Sequence, residues 1–550
     1  MGAIFRAVQA GDGNAVSTMP LLTLIVFTPL AGALIVMLMP KEQHAALRRG
    51  AFIFSLLPFA LSLVLLARFN PSDVGFQFTE KVPWIPQFGI SYSLGIDGIS
   101  LFLLLLTTFL TPLVILAGWG DIHKRVKEYM VFMLLMETGM VGAFVAVDLF
   151  LFYVFWEVML IPMYFLVGVW GGERRIYAAW KLVLYTMTGS LLMLVAILYL
   201  VTLHNQQAGQ FTFDLLRLYD FSAPLATQRW LFAAFALAFA IKVPMFPLHT
   251  WLPDAHTEAP TGGSVILAGV LLKMGTYGFL RFAIPLFPLA AREALPIIAV
   301  LAVIGIVYGA LVSMVQPDLK RLVAYSSVSH LGFVMLGMAA LNTQGVEGSI
   351  YQMLNHGLST GALFLAVGVI YERRHTRLIR EFGGLWQQLP LYGAVFMIVM
   401  LSSVGLPGLN GFVGEFLILL GAFETYRVAT IVATSGVLLG AVYMLWMYQR
   451  VMFGPLTNPA NRDLPDLSKR EVLVFVPILV MLFVMGLYPK PFLNRMEPSV
   501  LAYLNRMHQK MAAVDRPERG AESLKLADLR RATSGDSQQS TVNYRLQPKP

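Results

Sequence analysis

The stretch FAIKVPMFPLHTWLPDAHTEAPTGGSVILAGVLLKMG, residues 239–275, decides how the whole chain is read. It is too apolar for a surface loop and carries too many ionisable groups for a helix that faces lipid. Lys242 and Lys273 lie in apolar surroundings. Between them stand Pro244, Pro247, Pro253 and Pro260, the histidines His249 and His256, and the carboxylates Asp254 and Glu258. A charge at membrane depth costs roughly 3 kcal/mol or more, so it faces a protein interior or a water-filled cavity and marks an ion path. Prolines at that depth free backbone carbonyls, which need partners within the protein or in trapped water. The stretch therefore predicts a broken, hydrated helix inside a bundle.

Composition agrees. Of 550 residues 57% are hydrophobic and only 13% charged, and the mean hydropathy is +0.69. That is outside the soluble globular range and predicts an all-α polytopic membrane protein embedded in the lipid bilayer. The formal charge of +9 belongs to loops and tails and gives no reason to expect nucleic acid as a partner. Cysteine is absent, which excludes disulfides, cysteine-bound iron–sulfur clusters and thiolate zinc sites. Electron transfer must then occur on another chain or through a haem on histidines. Residues 1–19 lack the order of a signal peptide, and 21–39 is expected to remain as a first span.

A hydrocarbon core of about 30 Å needs roughly 20 helical residues. On that ruler about fourteen spans are expected, near 21–39, 51–67, 98–118, 129–147, 149–169, 177–202, 230–256, 262–283, 295–315, 322–341, 349–371, 391–423, 429–450 and 471–489. The odd-numbered loops hold eighteen lysines and arginines and the even-numbered loops seven, which places the odd loops on the cytoplasmic side. The segment 491–550 is also basic, although this orientation puts it outside. It is expected to lack a packed core, apart from an amphipathic surface helix at 499–514 with Leu501, Leu504, Met507 and Met511 in register; a Ser/Gln-rich run lies at 534–541. A faint symmetry links the seventh span, with Lys242 beside Pro244, to the twelfth, with GLPGLNGFVGE at 405–415. Two interrupted spans, each with a charge and five spans apart, point to inverted repeats.

Long side chains near a span end reach the headgroups, so depth sorts the candidates. Glu137, Glu157, Lys242, Lys273 and His330 fall mid-span, and His356 within a turn of the middle. An unpaired Glu157 would be neutral or would need a cation, and Lys242 is the natural one. The distance between them sets how tightly the lysine holds its proton. A static ion pair is the plainer alternative. Lys273 has no carboxylate in its own span, and small residues around it leave room for helix packing or water. His249, His330 and His356 suit proton relay because histidine titrates near neutrality, though each can equally be a satisfied core histidine. Glu415 follows the Pro407–Gly408 break. Glu137 is a possible further member, as a second carboxylate near Glu157, and Lys181 lies close enough to its span end to snorkel.

These residues resemble a known family: the antiporter-like, proton-pumping membrane subunits of NADH:quinone oxidoreductase (respiratory complex I), and among them the subunit M or mitochondrial chain 4 type. The likeness covers roughly 20–490 and rests on DLFLFYVFWE at 148–157, KVPMFPLHTWLPDAH at 242–256, AYSSVSHLGF at 324–333 and NHG at 355–357. It implies a pair between Glu157 and Lys242, a mid-membrane Lys273, and a hydrated axis joined by His249, His330 and His356. It also implies fourteen helices with two inverted five-helix repeats, each containing a broken helix. The chain then divides into a segment 1–20, three helices over 21–128, a first repeat over 129–283, a second over 295–450, a last helix at 471–489 and the tail 491–550. Related chains of multi-component sodium or potassium/proton antiporters usually carry a terminal lysine where subunit M carries glutamate, and this sequence has Glu415.

The resemblance implies a subunit without a redox centre of its own, with NADH, FMN, iron–sulfur clusters and quinone on partner subunits. Its expected partners are other membrane subunits of the complex, including sister antiporter-like ones. The expected location is a bacterial inner membrane, with the mitochondrial inner membrane as the alternative. Two other classes remain open from sequence: a cation/proton antiporter subunit, and a haem-binding membrane subunit using His330 and His356.

Overall fold

The computed structural model describes residues 20–534. In chain order the elements are α1 (Leu21–Leu38), α2 (His44–Arg68), a hairpin of β1 (Gln77–Ile85) and β2 (Ile90–Ile96), α3 (Leu101–Ala117) and α4 (Val126–Val145). Then come α5 (Leu149–Trp170), α6 (Arg175–Ala208), α7 (Leu215–Asp220), α8 (Leu225–Lys242), α9 (Trp251–Glu258) and α10 (Thr261–Leu286). The rest comprises α11 (Pro288–Met314), α12 (Leu319–Ala339), α13 (Thr343–Arg374), α14 (Pro390–Val404), α15 (Asn410–Thr425), α16 (Arg427–Met452), α17 (Lys469–Leu487) and α18 (Lys490–Ser534). Among the described residues twelve helices are long and apolar enough to cross a membrane, while α3 and α14 are apolar but shorter.

Polarity decides which helices sit inside. The apolar windows of α10 and α13 are wholly buried and those of α12 and α4 nearly so, whereas α2, α16 and α17 bury a third or less. These inner helices are among the less apolar ones. Lipid is as apolar as leucine, so the span with the most ionisable and small residues is the one driven to the centre. Both expected breaks are present. After α8 the chain leaves helical geometry from Val243 to Thr250 before α9 begins, and the Trp251 indole donates to the carbonyl of Ile241 at 2.9 Å, satisfying one freed acceptor. Between α14 and α15, Gly405 and Gly408 take left-handed conformations (φ +81° and +94°).

The hairpin is an addition to the all-helical expectation, and it clasps the face made by the even-numbered loops. Each clasp is a carboxylate. Glu80 of β1 accepts from the amides of Leu22 (2.8 Å) and Thr23 (3.1 Å), capping α1 from a distant part of the chain. Asp148 accepts from Phe150 and Leu151, both at 3.0 Å, as the N-cap of α5, and from Ser91 of β2 at 3.0 Å. Asp214 caps α7 and pairs with Lys81 at 2.5 Å. Asp97 closes a buried pair with Arg281 of α10 at 2.6 Å. The hairpin escapes a search for 20-residue apolar runs because its signal is alternation on either side of Pro86 and Gly89.

The tail corrects a second expectation, since its first part packs against the bundle. Met496, Val500, Leu504 and Met507 of α18 are buried, Met511 is partly buried, and Leu501 is 41% exposed. The apolar stripe thus includes Val500 in place of Leu501. The Gly98 amide donates to Ser499 Oγ at 2.9 Å. A Cβ on Gly98 would lie 2.2 Å from the carbonyl of Arg495, so only glycine permits this approach. Past Ser534, the Ser/Gln-rich run lies outside the described residues.

Two stability predictions follow from these clasps. Asp97→Ala leaves Arg281 charged and unpaired in the interior, and the expected cost of about 3–5 kcal/mol should appear as a lower Tm of the detergent-solubilised protein. Burial lifts the Asp148 carboxyl to about 6 despite its amide donors. The fold therefore holds that proton more tightly than the unfolded chain does. The resulting stabilisation is full below about pH 4 and is lost as pH rises through about 6. Asp148→Asn keeps the cap through its one oxygen but sets an NH2 donor against the Ser91 amide, so its stability should stay flat between pH 4 and 7 where the parent's falls, measured by thermal melts across pH.

Candidate functional site

The centre of the molecule is set by the crossing of α10 and α13. A Cβ on Gly357 would fall 2.9 Å from the carbonyl of Gly269 and 2.6 Å from Leu106 Cδ2, so the two backbones touch where the NHG motif stands. This contact carries the neighbouring His356 to Lys273. The lysine Nζ lies 2.7 Å from His356 Nδ1 and donates to the carbonyl of Ala268 at 2.5 Å. Ala268 belongs to a π-type turn, Leu267–Leu271, and a second, Phe279–Ala283, follows in the same helix. Wider turns of this kind turn carbonyls away from the helical ladder and recur at functional sites.

From Lys273 the polar groups continue without a gap in burial. The His356 ring is centred 6.0 Å from that of His330 on α12. His330 Nδ1 lies 3.1 Å from Glu415 Oε1 on α15, and Gln352 donates to the same oxygen at 3.1 Å. Asn355 donates to Gln352 Oε1 (2.9 Å) and to the carbonyl of Asn410 (2.8 Å), which lies beside the second break. Lys273, His356, His330 and Glu415 are each at least nine-tenths buried. Four of the seven relay residues expected from sequence therefore form one string across four helices.

The other three are placed differently. Lys242 is buried and sits 4.9 Å from the centre of the Trp156 ring, a cation over an aromatic face. Among the described residues no ion pair within 4.0 Å joins it to Glu157, although each lies in the electrostatic field of the other. Trp156 is held by its indole bond to Ser190 Oγ at 2.7 Å, and it gives the ammonium an alternative seat. Glu157 Oε1 has no hydrogen-bond partner. His249 stands among Phe246, Tyr308 and Tyr325 with Nδ1 unpartnered and touches neither lysine of the pair that flanks it in sequence. Glu137 is fully buried on α4, and both its oxygens lack hydrogen-bond partners.

Several candidates emerge only in the fold. His256 is fully buried, stacked on Phe364 at 4.6 Å, with both ring nitrogens unpartnered. It lies within electrostatic reach of both Lys273 and Lys320. Lys320 donates to the carbonyl of Ala259 and lines a cavity of 640 Å³ on the odd-loop face, together with Asp121, Glu258 and Arg377. There Asp121 is held above the usual carboxylate range by burial, against the pull of Lys320 and His123. Lys181, expected to snorkel, instead pairs with Asp254 of α9 at 2.7 Å. Gln352 and Asn355 were legible as a polar stripe with His356 and Ser359 at helical spacing in an otherwise apolar span.

Buried lysines and histidines in line with carboxylates on broken helices form a proton conductor's set of parts. Comparison with known proteins says whose. A profile described as NADH-ubiquinone oxidoreductase chain 4, amino terminus, matches residues 21–143, and one described as NADH:quinone oxidoreductase/Mrp antiporter, TM, matches 146–483. NADH-quinone oxidoreductase subunit M of Rhodobacter capsulatus is 46% identical over 90% of this chain and 98% of its own length. The chain belongs to the subunit M, or chain 4, family of NADH:quinone oxidoreductase membrane subunits. NADH-ubiquinone oxidoreductase chain 4 of Arabidopsis thaliana is 47% identical over 86% of this chain and 95% of its own length. A chain of respiratory complex I from Thermus thermophilus superposes with a TM-score of 0.81 at 34% identity, covering 88% of this chain and 99% of that one. As a member of the family the chain is an integral membrane protein and a proton-translocating subunit, with other membrane subunits as its partners.

His256→Phe keeps the ring stack on Phe364 and removes both nitrogens. The complex is expected to assemble as judged by native electrophoresis, while NADH-driven proton uptake into vesicles falls severalfold.

Proposed function

We propose that this subunit conducts protons along a lateral path from the odd-loop side through Glu157, Lys242 and His249 to Lys273, His356 and His330, ending at Glu415. The observation that carries the reading is the unbroken string from Lys273 to Glu415, in which each side chain hydrogen-bonds or adjoins the next. Glu137 is a possible further member. Redox chemistry elsewhere in the complex drives the movement, with NADH, FMN, iron–sulfur clusters and quinone on partner subunits. Sister antiporter-like subunits are the neighbours in the membrane. A bacterial inner membrane is the location we favour, with the mitochondrial inner membrane as the alternative. Fourteen spans and two inverted five-helix repeats, 129–283 and 295–450, provide the frame.

Lys242 works as a switch in this scheme. Beside Glu157 at about 4 Å its charge is favoured by roughly 4 kcal/mol at an effective dielectric of 20, and at twice the distance by half as much. Moving the ammonium from the carboxylate to the Trp156 face thus loosens the proton and sends it towards Lys273; return to Glu157 resets the site. A cation/proton antiporter subunit is the second reading, and sodium- or potassium-dependent proton flux without NADH would reveal it.

In vesicles containing the assembled complex, Lys242→Ala or Glu157→Ala should abolish coupled proton pumping by this subunit, seen as fewer protons moved per electron. An undiminished ratio in both variants overturns the scheme.

A further inference from the structure

Past Glu415 the string has no evident way out, yet α13 itself continues towards the even-loop face. It carries Asn355, Tyr351 and Glu347 at successive intervals of four residues, on one side of the helix. Glu347 is 9% exposed, and its Oε1 has no hydrogen-bond partner; the same is true of Asn355 Oδ1. Buried polar atoms without partners are rare and are usually satisfied by ordered water. Two of them stand on one face, about 12 Å apart along the axis. Glu347 is not a capping group, because Asn342 caps α13 through the Gly345 amide at 2.9 Å.

α13 packs against the tail helix α18. Glu347 stands in the field of Glu497, an exposed residue of α18. Glu497 in turn lines a cavity of 400 Å³ with Pro71, Ser72, Asn494 and Arg495 on the even-loop face. The packing that fixes α18 there is the close approach of Arg495 to Gly98 and the contact of Phe492 with Phe102 at 5.1 Å. Between Asn355 and Glu347, the Tyr351 hydroxyl donates to the carbonyl of Met485 at 2.6 Å, and its ring meets Phe492 edge-on.

Resting on the proton-channel reading above, we infer that protons leave Glu415 by way of Gln352 and Asn355, descend the Tyr351 face of α13 to Glu347, and reach the outside through Glu497 beneath the tail helix. Each step is a proton hop between carboxyl, amide-bound water and carboxyl, with no bond to carbon made or broken. Glu347 is the last buried station, and α18 forms the roof of the outlet.

The test uses the assembled complex in sealed vesicles and reads protons moved per electron for the parent, Lys273→Ala, Glu347→Gln and Glu347→Asp. The inference expects Glu347→Gln to lose as large a share of the ratio as Lys273→Ala, and Glu347→Asp to recover at least half of that loss. A parental ratio in Glu347→Gln with a lowered one in Lys273→Ala overturns the outlet and leaves the channel standing. Parental ratios in both overturn the channel and the outlet with it. If Glu347→Gln does not assemble, Glu497→Gln at the exposed end decides: a lowered ratio supports the outlet, and a parental one overturns it.

Discussion

An ionised group in the hydrocarbon core must find its partners within the protein, and the architecture follows from that constraint. The helices that carry Lys273, His330 and His356 are among the less apolar spans, and they are enclosed by the others. Outside them stand helices apolar enough to meet lipid on most of their surface. The same constraint shapes the breaks. Where prolines interrupt α8–α9, the Trp251 indole takes up a freed carbonyl, and beside the α14–α15 break Asn355 bonds the carbonyl of Asn410. An interrupted helix at membrane depth survives only because its backbone faces protein.

Burial also sets the energy scale on which the subunit works. Doubling the separation of one ion pair from about 4 Å changes its interaction by roughly 2 kcal/mol at an effective dielectric of 20. Moving one charge across 100 mV takes about 2.3 kcal/mol. These are comparable, so a single pair leaves little surplus against a full membrane potential. A string of stations spread over several helices is better suited to the task, since each step moves the proton only part of the way. On the path proposed above, Lys242 resting on Trp156, apart from Glu157, and Lys273 bound to His356 would serve as two such stations.

The two faces of the protein are built on different principles. On the odd-loop face cations predominate, among them Arg373 paired with Glu471 and Arg377 paired with Asp318, and the broad cavity around Lys320 opens there. On the even-loop face the hairpin and α18 lie over the helix ends, and four carboxylates tie loop to helix. Asp97, Asp148, Asp214 and Glu80 each reconcile backbone donors at a helix or turn with a second element. That face is therefore stitched by charge-assisted hydrogen bonds, which are the stronger kind where water is scarce.

Much of this was legible in the linear chain because hydrophobic length and charge at depth are local properties. Helices occupy every stretch read as a span, the interruptions fall at the expected prolines and glycines, and the odd-loop excess of basic residues is plain. The ionisable residues at depth were identifiable one by one for the same reason. Their connections were not. Lys273 meets His356 only because Gly269 and Gly357 let two helices touch, and Lys242 meets Trp156 rather than Glu157 through side-chain packing that no spacing encodes. The hairpin, the docking of α18 and the pairing of Lys181 with Asp254 likewise join residues remote in sequence. Which groups must be hidden from lipid is written along the chain in their type and depth; which of them meet is set by how closely neighbouring helices approach, and that belongs to the folded bundle.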